Sequence, residues 1–179
     1  FRAWQFGWAA FTSHYVLDAV NTLAPSQIVA FVGALLLVMM AVCIFISTRL
    51  MRERFRLEWY DIVIFVMGAG LALWNVKARV INGVFRPEVV TNPHFRLEIF
   101  LAAVLLYSSL YFYRHAHRKN SLAFRLLAMS LALWAVLMVV GQFRNPFIEL
   151  FGVSGQLLGP VPQMLLGIAM VMVLFENER

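Results

Sequence analysis

Two ionisable residues, His14 and Asp18, lie four positions apart in an otherwise apolar segment. Residues at this spacing share one face of an α-helix, so the two side chains are expected to meet. An ionisable pair inside a membrane helix is a candidate proton site, ligand contact or axial ligand to a pigment or haem. His14 is the candidate cofactor-binding residue, because neutral imidazole is a good axial ligand. The alternative is a structural hydrogen bond near the helix end, since Asp18 lies close to Pro25.

Small residues continue this face and form a similar stripe further along the chain. Small side chains let membrane helices approach closely, so both faces predict helix contacts. The first face carries Ala3, Gly7 and Ala10, and the second stripe has Asp61, Gly68 and Asn75 at intervals of seven.

A third group combines small, polar and helix-breaking residues: Gly155, Gln156, Gly159, Pro160, Pro162 and Gln163. The prolines free backbone carbonyls that must be satisfied inside a helix bundle. The segment predicts either a packing seam or a switch that responds to a ligand. A kink at the prolines would let movement of the outer half of the helix reach a continuous inner half. The simpler alternative is that the prolines only shape the start of the helix.

Other reactive residue types do not form a recognisable site. His115 and His117 are two positions apart among basic residues, which is poor metal-ligand geometry, so we assign them to a solvated loop. The single cysteine, Cys43, cannot form an intrachain disulfide. The sequence contains no HExxH, CxxC, GxSxG or phosphate-binding glycine motif. We therefore expect neither catalysis nor a metal site within these residues.

The composition determines which elements must position these groups. Of 179 residues, 62% are hydrophobic and 13% are charged, against about half and a quarter in soluble domains. This excludes disorder and favours an all-α, polytopic membrane domain, with no β-sheet because backbone in lipid must bond within its own helix. Apolar runs predict six spans in a single domain, at residues 3–20, 27–48, 60–79, 97–114, 124–143 and 156–175. Because the chain begins at Phe1 and ends as it turns polar, we interpret it as an excerpt of a longer protein.

Basic residues predict the orientation of these spans. The positive-inside rule assigns the side richer in Lys and Arg to the cytoplasm, which here means both termini and the segments 49–58 and 114–120. That side holds Arg2, Arg49, Arg52, Arg54, Arg56, Arg114, Arg118, Lys119, Arg125 and Arg179, and the other side holds Lys77, Arg79, Arg86, Arg96 and Arg144. The net charge of +6 is thus assigned to loops near lipid headgroups, and no nucleic-acid partner is expected.

The C-terminal third carries a resemblance to a known family. A basic segment leads into Ser121-Leu-Ala-Phe-Arg-Leu-Leu-Ala and a span with Trp134, and the final span closes with Leu-Leu-Gly-Ile-Ala-Met-Val-Met-Val-Leu-Phe-Glu-Asn-Glu-Arg. This resembles the multi-helix membrane sensor regions that precede PAS, histidine kinase or GGDEF modules in bacterial signalling proteins. The resemblance implies a sensory or anchoring input region in the bacterial inner membrane, with its last span entering a cytoplasmic stalk. It transfers no ligand-site residues.

These observations support two functions from different classes. The first is a non-catalytic input region of a signalling protein. The second is an accessory structural subunit of a larger respiratory or photosynthetic complex, which packs against partner helices, lipids, pigments or haem. Under either hypothesis the expected partners are the lipid bilayer and other membrane subunits or a second copy of the chain. A kinase or cyclase encoded after Arg179 would favour the first, and pigment or haem absorbance in the purified protein would favour the second.

Overall fold

The computed structural model describes residues 2–50, 58–81, 84–86, 92–140 and 160–178. Within these ranges the chain is all-α, as predicted, apart from one short antiparallel hairpin between the third and fourth helices. The elements are α1 (Arg2–Leu23), α2 (Gln27–Leu50), α3 (Trp59–Ala78), β1 (Val80–Ile81), β2 (Val84–Phe85), α4 (Asn92–Lys119), α5 (Leu122–Val140) and α6 (Pro160–Glu178). The hairpin corrects the expectation of no β-sheet, and it lies outside the apolar helices.

Four of these helices are long and apolar enough to cross a bilayer, which makes the chain a membrane protein by length and composition. They are Gln27–Thr48, Trp59–Ala78, His94–Lys119 and Leu122–Val140. The described residues therefore support four of the six expected spans. In α1 the polar residues around His14 lower the hydropathy, and the apolar part of α6, Val161–Val173, is shorter than a span. Residues 141–143 and 156–159 of the last two expected spans lie outside the described residues.

The chain forms two compact units, residues 1–101 and 102–179, and the boundary falls within α4. In the first unit α1 runs antiparallel to α2, with the small-residue face of α1 in the contact. A Cβ on Gly7 would lie 3.2 Å from the Cβ of Cys43, and one on Gly33 would lie 3.5 Å from His14 Nδ1. Glycine at both positions lets the two helices approach closely. This matters because lipid provides no hydrophobic driving force for helix association, so van der Waals contact between the helices must hold them together.

The corner between α1 and α2 is fixed by Asn21. Its buried Oδ1 accepts the N–H of Ser26 at 2.9 Å, just beyond Pro25. Proline cannot continue the helix, so the chain turns there. This corner places the last turns of α1 beside the first turns of α2.

The second unit is built around the end of α4 and the start of α5. Asn120 has a φ of 49°, and the N–H of Ser121 donates to the carbonyl of Ala116 at 3.2 Å. This is the Schellman arrangement that ends many helices, with asparagine tolerating the left-handed conformation. The core beyond it is apolar and fully buried, with Leu105, Phe112, Leu127, Leu131 and Leu166.

Close approach at Gly68 of α3 gives a stability prediction. A Cβ there would lie 2.5 Å from Val38 Cγ1 and 3.0 Å from the Phe100 ring. Gly68→Ala should therefore lower the free energy of unfolding by about 1–3 kcal/mol through overpacking. The measurement is denaturant unfolding in detergent micelles, followed by circular dichroism.

Gly70→Ala is the matched control, because a Cβ at Gly70 meets nothing within 4 Å. Replacing a helical glycine by alanine in open space should raise the free energy of unfolding by about 0.5–1 kcal/mol. Changes of the same sign in both variants would contradict close packing at Gly68.

Candidate functional site

A cavity of about 230 Å³ lies in the first unit, among the ends of its four helices. The C-terminal turns of α1 and α3 and the N-terminal turns of α2 and α4 contribute to it, so it lies at the opposite end of α2 from Leu50. Apolar and small residues of α2 line one side. The other helices supply a polar set: His14, Asp18, Asn21, Asn75, Arg79, His94 and Glu98.

His14 is tied to the opposite helix by a hydrogen bond. Its Nδ1 lies 2.9 Å from the carbonyl oxygen of Gly33, and a carbonyl only accepts, so Nδ1 is the protonated nitrogen. This tautomer leaves the lone pair of the neutral ring on Nε2. This hydrogen bond joins α1 to the backbone of α2.

Asp18 lines the same cavity, and its carboxylate attracts the guanidinium of Arg79. Within the described ranges no hydrogen bond or ion pair joins it to His14. The four-residue spacing thus brings the two side chains to one site without pairing them.

Arg79 caps the C-terminal end of α3 and is held by its backbone. Its N–H donates to the carbonyl of Val76 at 3.2 Å, and its own carbonyl accepts the N–H of Arg86 at 3.0 Å, which extends the hairpin ladder. Burial lowers the pKa of the guanidinium, while attraction from Asp18 and Glu98 raises it. The guanidinium is too strong a base to lose its proton in a protein, so Arg79 remains a cation.

His94 accepts hydrogen bonds at the inner side of the cavity. Its Nδ1 lies 3.3 Å from Arg79 Nη2 and 3.4 Å from Asn75 Nδ2, and both of these groups donate. The proton of the neutral ring is therefore on Nε2, which lies 3.8 Å from Glu98 Oε1. One cation, two carboxylates and two imidazoles thus surround a small volume.

This arrangement suits a small polar solute better than a metal or a macrocycle. Among the described residues no three His, Cys, Asp or Glu side chains are placed to hold a metal ion. The cavity is also smaller than the range of about 300–1,000 Å³ typical of drug-sized ligands.

The other predicted site residues lie elsewhere. Asp61 is buried at the start of α3, where its Oδ2 accepts the N–H of Glu58 at 2.9 Å, an N-terminal capping contact. The stripe of α3 therefore divides into a cap at Asp61, a packing contact at Gly68 and a cavity residue at Asn75.

The predicted residues of the last helix are described in part. Gly155, Gln156 and Gly159 lie outside the described residues. The helix begins at Pro160, so Pro160 and Pro162 occupy its first turn, where a missing N–H costs no helical hydrogen bond. This placement favours the simpler interpretation, that the prolines shape the start of the helix. Gln163 comes next in the same helix and is half-buried.

Sequence reasoning did not assign Arg79, His94 or Glu98 to a site. His94 and Glu98 carry a usable signal, since they are four positions apart, as His14 and Asp18 are. In the sequence Arg79 is only one of several loop charges, because its role depends on which helix ends meet in the fold.

A second polar contact, here called the exit clamp, joins α6 to the start of α5 through Glu176 and Ser121. The Ser121 hydroxyl donates to the Glu176 carboxylate, which also accepts the N–H of Ala123 at 3.3 Å. Ser121 Oγ in turn accepts the N–H of Phe124 at 3.2 Å, as an N-cap residue does. A carboxylate at a helix N-terminus is electrostatically favourable. The clamp therefore fixes the end of α6 against α5.

Comparison with known proteins finds no matching family model, curated protein or solved structure.

The exit clamp predicts a difference between two substitutions that cap a helix equally well. Asn and Asp are comparable N-caps, but only Asn can donate a hydrogen bond to Glu176. Ser121→Asn should keep nearly the full stability, and Ser121→Asp should lose about 0.5–2 kcal/mol of unfolding free energy. Denaturant unfolding in micelles measures both, and adding Glu176→Gln should restore the Asp variant. Equal stability of the Asn and Asp variants would contradict the clamp.

Proposed function

We propose that this chain is the non-catalytic, membrane-embedded input region of a bacterial signalling protein, and that the polar cavity is its input site. The observation that carries the proposal is the convergence of His14, Asp18, Arg79, His94 and Glu98 on one small cavity. Ionisable residues in or beside membrane helices are costly and are usually functional.

The cavity position supports the input role. With segment 49–58 in the cytoplasm, as its arginines predict, the cavity faces the outer side of the inner membrane. A solute from outside the cell would then reach it without crossing the bilayer.

The exit clamp supports a defined output. An input region must pass movement to an output module. The contacts of Glu176 hold the end of α6 in one defined position, so α6 can switch between a clamped and a released state. A ligand shifts such an equilibrium only by its differential affinity for the two states. Anchoring in lipid is the second role, since large apolar side chains such as Val66, Met67 and Met129 are exposed.

The accessory-subunit hypothesis predicts a bulky bound group or an extensive partner surface. A cavity of about 230 Å³ favours a small solute over a pigment or haem. The input role is therefore the better supported of the two.

Blocking the cavity at Gly33 tests this proposal. Residues 1–179 would be joined in frame to a histidine kinase module, and autophosphorylation would be measured in membranes with and without a mixture of amino acids, amines, carboxylates and sugars. The parent chimera should respond by about fivefold or more, the scale of ordinary allosteric coupling. Gly33→Leu should abolish the response, because the branched side chain occupies space beside His14 and Leu17.

Gly33→Ala is the control, since its Cβ would make ordinary contacts of 3.5 Å with His14 Nδ1 and 3.8 Å with the Leu17 Cβ. It should respond as the parent does. An unchanged response in a folded Gly33→Leu chimera, or no response in the parent, would contradict the proposal.

A further inference from the structure

We infer that the cavity binds a small zwitterion, a molecule with one carboxylate and one ammonium group such as a short amino acid. The inference rests on the proposed function, which makes the cavity an input site, and it names the chemical class of the ligand.

The carboxylate half of this ligand is recognised by Arg79. In the described part of the chain, one side chain accepts a hydrogen bond from the Arg79 guanidinium: His94 accepts from Nη2. The Nε of Arg79 is buried without a hydrogen-bond partner there. A guanidinium has five donors in a fork that matches a carboxylate, and a buried donor left unsatisfied is costly. An anionic acceptor in the cavity would satisfy it.

The ammonium half is recognised by Asp18 and Glu98. Both carboxylates attract Arg79, yet neither comes within ion-pair distance of it in the described ranges. The described contact of Glu98 is His94 Nε2 at 3.8 Å, which is too long for a hydrogen bond. Both carboxylates thus retain acceptor capacity toward the cavity.

The placement of the charges, rather than their sum, selects the class. A simple anion would satisfy Arg79 but would be repelled by two carboxylates. A simple cation would be attracted by the carboxylates but would leave the buried Nε of Arg79 without an acceptor. A zwitterion can place its carboxylate toward Arg79 and its ammonium group toward Asp18 and Glu98. The size of the cavity limits the ligand to a short side chain, which Leu17, Val76 and Leu97 would contact.

The test is direct binding to the whole chain, purified in detergent micelles, by equilibrium dialysis and calorimetry. There are four probes. Glycine carries both charges, acetate only the negative charge, methylammonium only the positive charge, and acetamide neither. Glycine should bind at least about tenfold more tightly than the other three, a difference of about 1.4 kcal/mol.

Arg79→Gln should weaken glycine binding by about tenfold or more, and Asp18→Asn should also weaken it. Lys77→Gln is the matched control, because Lys77 is exposed two positions earlier on α3 and does not line the cavity. It should bind glycine as the parent does. Arg79→Lys keeps the charge without the forked donors, so its affinity for glycine should lie between those of the parent and Arg79→Gln. If Arg79→Gln does not fold, Arg79→Lys and Asp18→Asn test the zwitterion site in its place.

Glycine binding that is unaffected by Arg79→Gln or Asp18→Asn in folded protein would overturn the inference, and so would the absence of glycine binding. If acetate, methylammonium or acetamide binds as tightly as glycine and is lost in Gly33→Leu, the zwitterion class is wrong and the input site stands. If the Gly33 chimeras show no cavity-dependent response at all, the proposed function itself fails.

Discussion

The guanidinium of Arg79 imposes the constraint on which the first unit depends. A charge beside apolar membrane helices must be supplied with acceptors and counter-charges, because leaving it unsatisfied in a poorly solvated site is costly. The hairpin fixes its backbone, His94 accepts from its side chain, and Asp18 and Glu98 attract it from α1 and α4. Polar groups are thereby collected at one end of the helices, and the remaining lengths of α2 and α3 stay apolar enough to cross a bilayer.

Close helix contact is the second requirement, because the cavity exists only where four helix ends meet. Gly33 brings the α2 backbone to His14, and the resulting hydrogen bond selects the tautomer of the ring. Gly68 brings α3 against Val38 and Phe100 lower in the same unit. The geometry of the polar site thus depends on Gly33, which lines the cavity, and on Gly68, which does not. Close helix packing and the shape of the site are therefore linked in this unit.

The helices were predictable from the sequence, because an apolar run of sufficient length leaves few alternatives. The predicted spans 27–48 and 60–79 match Gln27–Leu50 and Trp59–Ala78 closely. The hairpin was missed since two-residue strands such as Val80–Ile81 carry no periodicity. Within the site, the four-residue spacing identified His14 and Asp18 as neighbours on one helix face. The roles of Arg79 and His94 were not predictable, because they depend on contacts between residues 15 positions apart whose helices meet only in the folded chain.

Access of the cavity to the outside of the cell is the most direct test of the proposed input site. Ala30 lines the cavity, whereas Val32 lies on an exposed, apolar part of α2. Each would be replaced by cysteine in a Cys43→Ala background and treated, in intact cells, with a small membrane-impermeant cationic methanethiosulfonate. We predict that Ala30→Cys is labelled from outside and that Val32→Cys, which faces lipid, is not, because only a thiol in contact with water ionises and reacts. Failure to label Ala30→Cys, or equal labelling of both positions, would contradict an outward-facing polar input site.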